Sequence, residues 1–265
     1  MRADSVQRGV VERIVVRIAQ DARVVGVAVT GSLAAGLGDE YSDVDLVLAV
    51  RDDAFEEVEA ERLALIASWA PLIVGFTGEH VGEPRVIISV IGPPLVHVDL
   101  KFVRLSDFGA SVIRPWLIHD PAGALAAAVV EHPGAEESVD AQWIEDRFWV
   151  WVHYAAAKLG RGELFEVIDM LALMRSAALG PLAAVRAGID PRGVRRLESA
   201  APRDSDELRA TVSRHDRKEA GEALRAAVRL YRSWSRDIPF DRRTQAEDLA
   251  VQYLDDVIRR RRENG

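Results

Sequence analysis

Residues 24–50 read VVGVAVTGSLAAGLGDEYSDVDLVLAV, and this stretch decides the fold. It opens with the β-branched run Val24–Val29, which predicts a strand that ends just before Gly31-Ser32. A turn of small residues follows, and a second apolar run begins with Asp43 and Asp45. The stretch therefore predicts two strands joined by a glycine-containing turn, with two carboxylates where the second strand starts.

The spacing of these two acids indicates a cation site. Side chains two residues apart on a strand project from the same face, so Asp43 and Asp45 lie close together and repel each other unless a cation lies between them. Carboxylate oxygens suit a hard divalent ion such as Mg²⁺. A third acid, Asp99, interrupts the apolar run Leu95–Val103 and completes the cluster if that run lies beside the strand of Asp43. We expect these three aspartates to hold one or two metal ions.

The small-residue turn supplies the second half of a nucleotide site. Backbone N–H groups of the Gly31-Ser32 turn and the Ser32 hydroxyl can hold the terminal phosphates of a nucleotide. Metal ions on the carboxylates would neutralise those phosphates, orient an attacking oxygen and stabilise leaving pyrophosphate. Ser42, just before the acids, is expected to be a turn residue or cap, and phosphate contact is the alternative. The combination predicts the transfer of a nucleotidyl group.

The order of these features resembles the polymerase-beta-type nucleotidyltransferase superfamily: an apolar strand, Gly31-Ser32, then Asp43-Val44-Asp45, and later the strand acid Asp99. The resemblance implies that Asp43 and Asp45 are metal ligands and that Gly31 and Ser32 contact triphosphate. It makes Asp99 the third ligand or the general base. Aminoglycoside-modifying relatives often carry Glu where Asp99 stands, and the shorter Asp fits a metal ligand better than a base.

The composition limits the class of protein. The chain has 265 residues, of which 49% are hydrophobic, with a formal net charge of -8 and no cysteine. This apolar fraction excludes a disordered chain, and the lack of cysteine excludes a disulfide scaffold, a zinc–thiolate site and a thiol nucleophile. The acidic excess lies in the first half of the chain, which alternates helical and strand patterns. An acidic chain is a poor general binder of nucleic acid.

The second half shows helical periodicity only. The predicted helices there are Trp143 to Leu159, Leu164 to Leu179, Pro181 to Ala187, Ser205 to Arg214, Arg217 to Arg236 and Thr244 to Arg262. A composition shift with turn residues at Glu131–Gly134 predicts the boundary. We expect an α+β protein with an N-terminal nucleotidyltransferase α/β domain built on a mixed sheet, residues 1–133, and a C-terminal all-α helical bundle for substrate binding, residues 134–265.

Lys158 and His97 are basic residues that each have two interpretations. The second half resembles the C-terminal domain of aminoglycoside and lincosamide nucleotidyltransferases around Arg147 and Lys158. Lys158 is therefore a candidate triphosphate contact, and an exposed helix-end cation is the alternative. His97 alternates with apolar residues on the Asp99 side of its strand, and we interpret it as a partly exposed structural histidine rather than a ligand.

The sequence thus predicts a Mg²⁺-dependent enzyme that transfers a nucleoside monophosphate, AMP from ATP in the simplest case, to a hydroxyl of a small acceptor. An aminoglycoside- or lincosamide-type antibiotic is the acceptor that the resemblance suggests. The alternatives are a toxin-like enzyme acting on a protein or tRNA, and a non-catalytic nucleotide-binding module. No signal peptide or long apolar run is visible in the sequence, so we expect a cytoplasmic monomer or homodimer with no membrane partner.

Overall fold

The computed structural model describes residues 6–135 and 138–260. The chain divides after Ala135 into two compact units, called unit 1 and unit 2 below. The helices of unit 1 are α1 (Val6–Ile18), α2 (Gly31–Ala34), α3 (Phe55–Trp69), α4 (Leu105–Phe108) and α5 (Ala124–Glu131). Its strands are β1 (Val24–Val29), β2 (Val44–Val50), β3 (Leu72–Gly78), β4 (Glu83–Ile91), β5 (Val96–Arg104) and β6 (Trp116–His119).

Unit 1 is built on one six-stranded sheet with the order β3-β4-β5-β2-β1-β6. The two central strands, β2 and β5, run parallel, and every other neighbouring pair is antiparallel. The turn of Gly92 and two prolines joins β4 to β5 as an antiparallel hairpin, as the sequence predicts. The α+β class and the mixed sheet are confirmed.

Different helices pack on the two faces of this sheet. Leu46 and Leu48 of β2 and Leu100 of β5 point to one face, where residues of α1 and α3 bury them almost completely. The alternate residues point to the other face, where Val47 packs with Val103 against residues of α4 and α5. The helices that cover this second face pack on the end of the strands that carries Val103, and the acids lie toward the opposite end.

Two strands and several helices differ from the sequence prediction, which lacks the four-residue helices α2, α4 and Leu197–Ala200 and expects a turn where α2 lies. Both edge strands, β3 and β6, escape that prediction because β3 follows α3 after a single Ala-Pro step and β6 is only four residues long. The predicted helix Ser205 to Arg214 is wrong in its bounds, since the helix runs Pro202–Leu208 and a 3₁₀ turn follows it. Pro202 resembles a helix break in the sequence, yet a proline is tolerated in the first helical turn because its missing N–H has no partner there.

All the regular secondary structure among the described residues of unit 2 is helical. Its helices are α6 (Ala141–Arg161), α7 (Leu164–Met174), α8 (Gly180–Arg186), α9 (Leu197–Ala200), α10 (Pro202–Leu208), α11 (Arg217–Trp234) and α12 (Thr244–Arg260), with a π-helical turn at Arg175–Leu179. The last two residues of the predicted final helix, 261 and 262, lie outside the described residues. The expected helical bundle is confirmed.

One segment of unit 2 combines length with high apolarity. Leu164–Arg186 is the one stretch among the described residues that could cross a membrane by length and composition, and 56% of its apolar window is buried inside the protein. Its side chains Val167, Leu171 and Leu182 are part of the unit 2 core. This burial is what a core helix of a bundle shows.

A buried carboxylate organises the unit 2 core. Glu145 on α6 is fully buried and accepts hydrogen bonds from Tyr231 Oη (2.5 Å), Trp149 Nε1 (3.0 Å) and the backbone N–H of Arg243 (2.7 Å). Burial and the adjacent carboxylate raise the pKa of the Tyr231 hydroxyl, which keeps it a donor. Glu145 thereby ties α6 to α11 and to the segment before α12.

We expect Glu145→Ala to lower the free energy of unfolding by about 3 kcal/mol or more, because three donors, two of them buried, lose their acceptor. Glu145→Gln keeps one acceptor oxygen and should cost about 1 kcal/mol. Urea unfolding followed by far-UV circular dichroism measures both. The control is Glu222→Ala, whose side chain on α11 is 62% exposed and should change stability by about 0.5 kcal/mol or less. Equal losses for Glu145→Ala and Glu222→Ala would contradict the assigned role.

Candidate active site

The central feature of unit 1 is a pair of aspartates on neighbouring parallel strands. Asp45 of β2 stands directly opposite Asp99 of β5 in the ladder. Neighbouring strands lie about 4.8 Å apart, and opposite residues project from the same face. The condition set by the sequence, that the Asp99 strand lies beside the strand of the other acids, therefore holds in the structure. Asp43 precedes β2 by one residue, which places it at the same end of the sheet.

The segment that the sequence predicts as a turn begins with Gly31 and forms the first turn of the short helix α2, and this Gly31 turn lies against Asp45. Gly31 has a backbone φ of +63°, and a Cβ built on it would lie 2.1 Å from Asp45 Oδ2. The backbone N–H of Thr30 also donates to the Asp45 carbonyl oxygen (2.9 Å). Glycine is required here because a left-handed conformation and the close approach of a carboxylate both exclude a side chain. The structure thus brings the predicted phosphate-binding turn and one predicted metal ligand into contact.

An imidazole lies between the other two acids. His97 Nε2 is 2.8 Å from Asp99 Oδ1, and His97 Nδ1 is 3.7 Å from Asp43 Oδ1. The three side chains are 31% to 56% exposed, so solutes reach them. We call Asp43, Asp45, His97 and Asp99 the acid face. It follows from the strand alternation that His97 and Asp99 share this face with Asp45.

The acid face fits a divalent cation by its donor chemistry. Three carboxylates on adjacent strand positions are the oxygen donors that Mg²⁺ and Mn²⁺ take, and Mg²⁺ usually binds through one or two carboxylates completed by water and substrate phosphates. Within residues 6–135 and 138–260, no three His, Asp or Glu side chains already converge as a metal site. Asp45 is turned toward Gly31 and Asp99 toward His97. The site therefore offers donors that bound metal and phosphate would draw together.

The loop before Asp43 is held by its own hydrogen bonds and by α1. Ser42 Oγ donates to Asp39 Oδ1 (3.0 Å) and accepts from the Asp39 N–H (2.9 Å), which is the turn role expected for Ser42. The buried Gln7 side chain of α1 donates to the Glu40 carbonyl oxygen (2.9 Å). Sequence reasoning missed Gln7, although a polar residue on the buried side of an amphipathic helix was a usable signal.

The nearest lysine to Asp99 on β5 is already paired. Lys101, two residues after Asp99, contacts Glu83 Oε2 at 2.8 Å. Glu83 also accepts hydrogen bonds from Arg85, and Arg85 followed by Lys101 lowers the pKa of the Glu83 carboxyl to about 2. Glu83 thereby binds the ammonium group of Lys101.

Lys158 belongs to an ion-pair network of unit 2. Its Nζ lies 2.6 Å from Glu163 Oε2 and 3.8 Å from Glu166 Oε2, and the Glu163 carboxylate raises the pKa of Lys158. Tyr154 donates a hydrogen bond to Glu166 (2.7 Å). The network joins the end of α6 to the start of α7. Contact of Lys158 with triphosphate stays a prediction.

An alanine in the left-handed conformation usually lowers the free energy of unfolding by about 1 kcal/mol. We expect Gly31→Ala to lower it by more than this, because the added Cβ meets the Asp45 carboxylate. The matched control is Gly36→Ala, since Gly36 has φ +73° and open space where a Cβ would lie. In an Asp45→Ala background the extra cost of Gly31→Ala should disappear. Urea unfolding of the single and double variants gives these differences, and an extra cost that survives in that background would refute the contact.

Acid should weaken the contribution of Glu83 to stability. Its folded pKa lies below the ordinary value of 4.5, so its contribution is present above about pH 5 and is lost as the pH falls toward 2. Glu83→Gln should therefore be less stable than the native chain at neutral pH and approach it near pH 2. Urea unfolding over this pH range measures the difference. A difference that does not change with pH would contradict the pairing.

Comparisons with known proteins bear on the region just described. Residues 11–78 match the model of the nucleotidyltransferase domain, a span that includes Gly31, Ser32, Ser42, Asp43 and Asp45. No curated protein matches the chain. An aminoglycoside 6-adenyltransferase from Bacillus subtilis, known from a crystal structure, is 16% identical, with 93% of this chain and 96% of that chain covered at a TM-score of 0.38. The match identifies residues 11–78 as a nucleotidyltransferase domain, which is the domain and the class of enzyme that the motifs predict.

Proposed function

We propose that this enzyme is metal-dependent and transfers AMP from ATP to a hydroxyl of a small acceptor, releasing pyrophosphate. The observation that carries the proposal is the placement of Asp45 opposite Asp99, with the Gly31 turn against Asp45 and Asp43 at the same end of the sheet. The backbone that would bind phosphate and the carboxylates that would bind metal are adjacent, as transfer of a nucleotidyl group requires.

The carboxylates of the acid face would hold one or two Mg²⁺ ions through Asp43, Asp45 and Asp99. When bound, such ions supply positive charge that neutralises the phosphates and the developing charge of pyrophosphate. The protein holds the donors on strands that are buried on their other face, which limits how far they move. Rigid strands position donors more accurately than loops do.

The Gly31-Ser32 turn would bind the triphosphate through backbone N–H groups and the Ser32 hydroxyl. The absence of a Cβ at Gly31 lets its backbone lie directly against the Asp45 carboxylate. The reaction forms a bond between the acceptor oxygen and the α-phosphorus and breaks the bond to the pyrophosphate oxygen. The acceptor hydroxyl passes its proton to a base, for which Asp99 is the candidate on the acid face, and pyrophosphate leaves with the bonding electrons. In-line geometry requires only that acceptor and pyrophosphate lie on opposite sides of that phosphorus.

The charge of the chain supports a small, cationic acceptor. The net charge is -8, and the acid face adds local negative charge that attracts amines and repels nucleic acid. The sequence resemblance to aminoglycoside- and lincosamide-modifying enzymes around Arg147 and Lys158 points the same way. We therefore propose an antibiotic-modifying role for a cytoplasmic enzyme that acts as a monomer or homodimer.

The direct test incubates the purified chain, with Mg²⁺ or with Mn²⁺, with α-³²P-labelled ATP, GTP, CTP or UTP and an acceptor panel. The panel contains aminoglycosides, lincosamides, bulk tRNA and a protein extract. We expect label from ATP to appear on a small cationic acceptor with equimolar pyrophosphate. Label on tRNA or on protein would overturn the small-molecule assignment, and no labelled product with any donor would overturn the proposed transfer to these acceptors.

We expect Asp43→Asn and Asp45→Asn each to reduce kcat/KM by about a thousandfold or more, because each removes a charged donor of the metal site. Asp53→Asn is the matched control, since Asp53 is 67% exposed and paired with Arg51 beyond the other end of β2. Melting temperatures establish that all three variants fold. Full activity in either site variant would refute the mechanism.

A further inference from the structure

The position of His97 deepens the proposed function, on which this inference rests. His97 lies on the acid face, and its two ring nitrogens face two different aspartates. Nε2 is at hydrogen-bond distance, 2.8 Å, from Asp99 Oδ1. Nδ1 is 3.7 Å from Asp43 Oδ1, which is too long for a hydrogen bond. The two nitrogens therefore have different surroundings, because only Nε2 has a close partner among these carboxylates.

This geometry is that of a histidine ligand with its orienting carboxylate. A metal-bound histidine usually gives its second ring N–H to a carboxylate, which fixes the tautomer and leaves the other nitrogen to bind the metal. Asp99 is the carboxylate beside Nε2 of His97, so in the neutral ring that donates from Nε2 the lone pair is on Nδ1. The tautomer follows from the role of Asp99 as acceptor.

The separation of Nδ1 and the Asp43 oxygen fits a shared metal. Two donors at about 2.1 Å from one ion lie about 3.0 Å apart at a right angle and about 3.4 Å apart at the tetrahedral angle. The observed 3.7 Å is longer than either separation by less than an ångström. A small rotation of the Asp43 side chain, which is 56% exposed, closes the difference. Water and phosphate oxygens complete such a site, so two protein donors suffice.

We propose that His97 Nδ1 is a nitrogen ligand that shares a divalent cation with Asp43 and makes the site select Mn²⁺ over Mg²⁺. Mg²⁺ takes oxygen donors, whereas an imidazole nitrogen favours first-row transition ions. The four donors then form two pairs of neighbours. Asp43, just before β2, pairs with His97 of β5, and Asp45 of β2 pairs with Asp99 of β5. This replaces the interpretation of His97 as a structural histidine.

The test measures Mn²⁺ bound to the full chain without nucleotide. Electron spin-echo envelope modulation of bound Mn²⁺ should show ¹⁴N coupling from one imidazole. His97→Gln is the informative variant because the glutamine amide nitrogen lies near the position of Nε2 and keeps a donor for Asp99 while Nδ1 is lost. The control is His80→Gln, whose ring packs against Phe76 with the ring centroids 5.5 Å apart. His97→Gln should abolish the coupling, and His80→Gln should preserve it.

Calorimetry of the same proteins gives the affinity. We expect His97→Gln to raise the Kd for Mn²⁺ at least about tenfold and to change the Kd for Mg²⁺ less than about threefold. Unchanged Mn²⁺ affinity or persistent ¹⁴N coupling in the folded variant would overturn the proposal and would leave nucleotidyl transfer untouched. Nitrogen-coordinated Mn²⁺ in a chain that adenylylates none of the acceptors would support the ligand role while refuting the proposed function.

Discussion

The register of the two central strands of unit 1 holds two like charges directly opposite each other, and the hydrophobic core maintains that register. Asp45 and Asp99 are partners in the parallel ladder, where like charges are unfavourable. Hydrophobic burial on the other face of the sheet enforces this register. Leu46 and Leu100, next to the acids, are 1% and 0% exposed. A slip of one residue in either strand would bury a carboxylate in that core and expose its leucine, so the core fixes the separation of the acids.

The acids also determine what covers the sheet. Helices α4 and α5 pack on the part of the second face that carries residues such as Val47 and Val103. A helix over the acid face would strip water from carboxylates without neutralising them, which is costly. Covering the acid face with a helix would therefore cost more than leaving its carboxylates in contact with water. Glu83 contributes to this arrangement, since its contact with Lys101 occupies the lysine nearest to Asp99 on that strand.

Much of this could be predicted from sequence because the decisive signals are local. The alternation of acidic and apolar residues in β2 and β5 indicates both strands and the shared face of Asp45 and Asp99. Edge strand β3 could not be found in this way, because pairing with β4 rather than its own pattern makes it a strand. The contact of His97 with Asp43 joins separate strands, so periodicity predicts its face but not its partners.

The two units use carboxylates in opposite ways, and the difference separates structure from chemistry. Glu145 in unit 2 has three donors and no exposed surface, so its charge is fully satisfied inside the protein. Asp43 and Asp99 are partly exposed and meet an imidazole, a group that itself can bind a metal. A satisfied carboxylate gains nothing from a ligand. Partly exposed carboxylates that a rigid core holds side by side are stabilised most by a ligand. A bound cation removes their repulsion, and the fold does not have to rearrange.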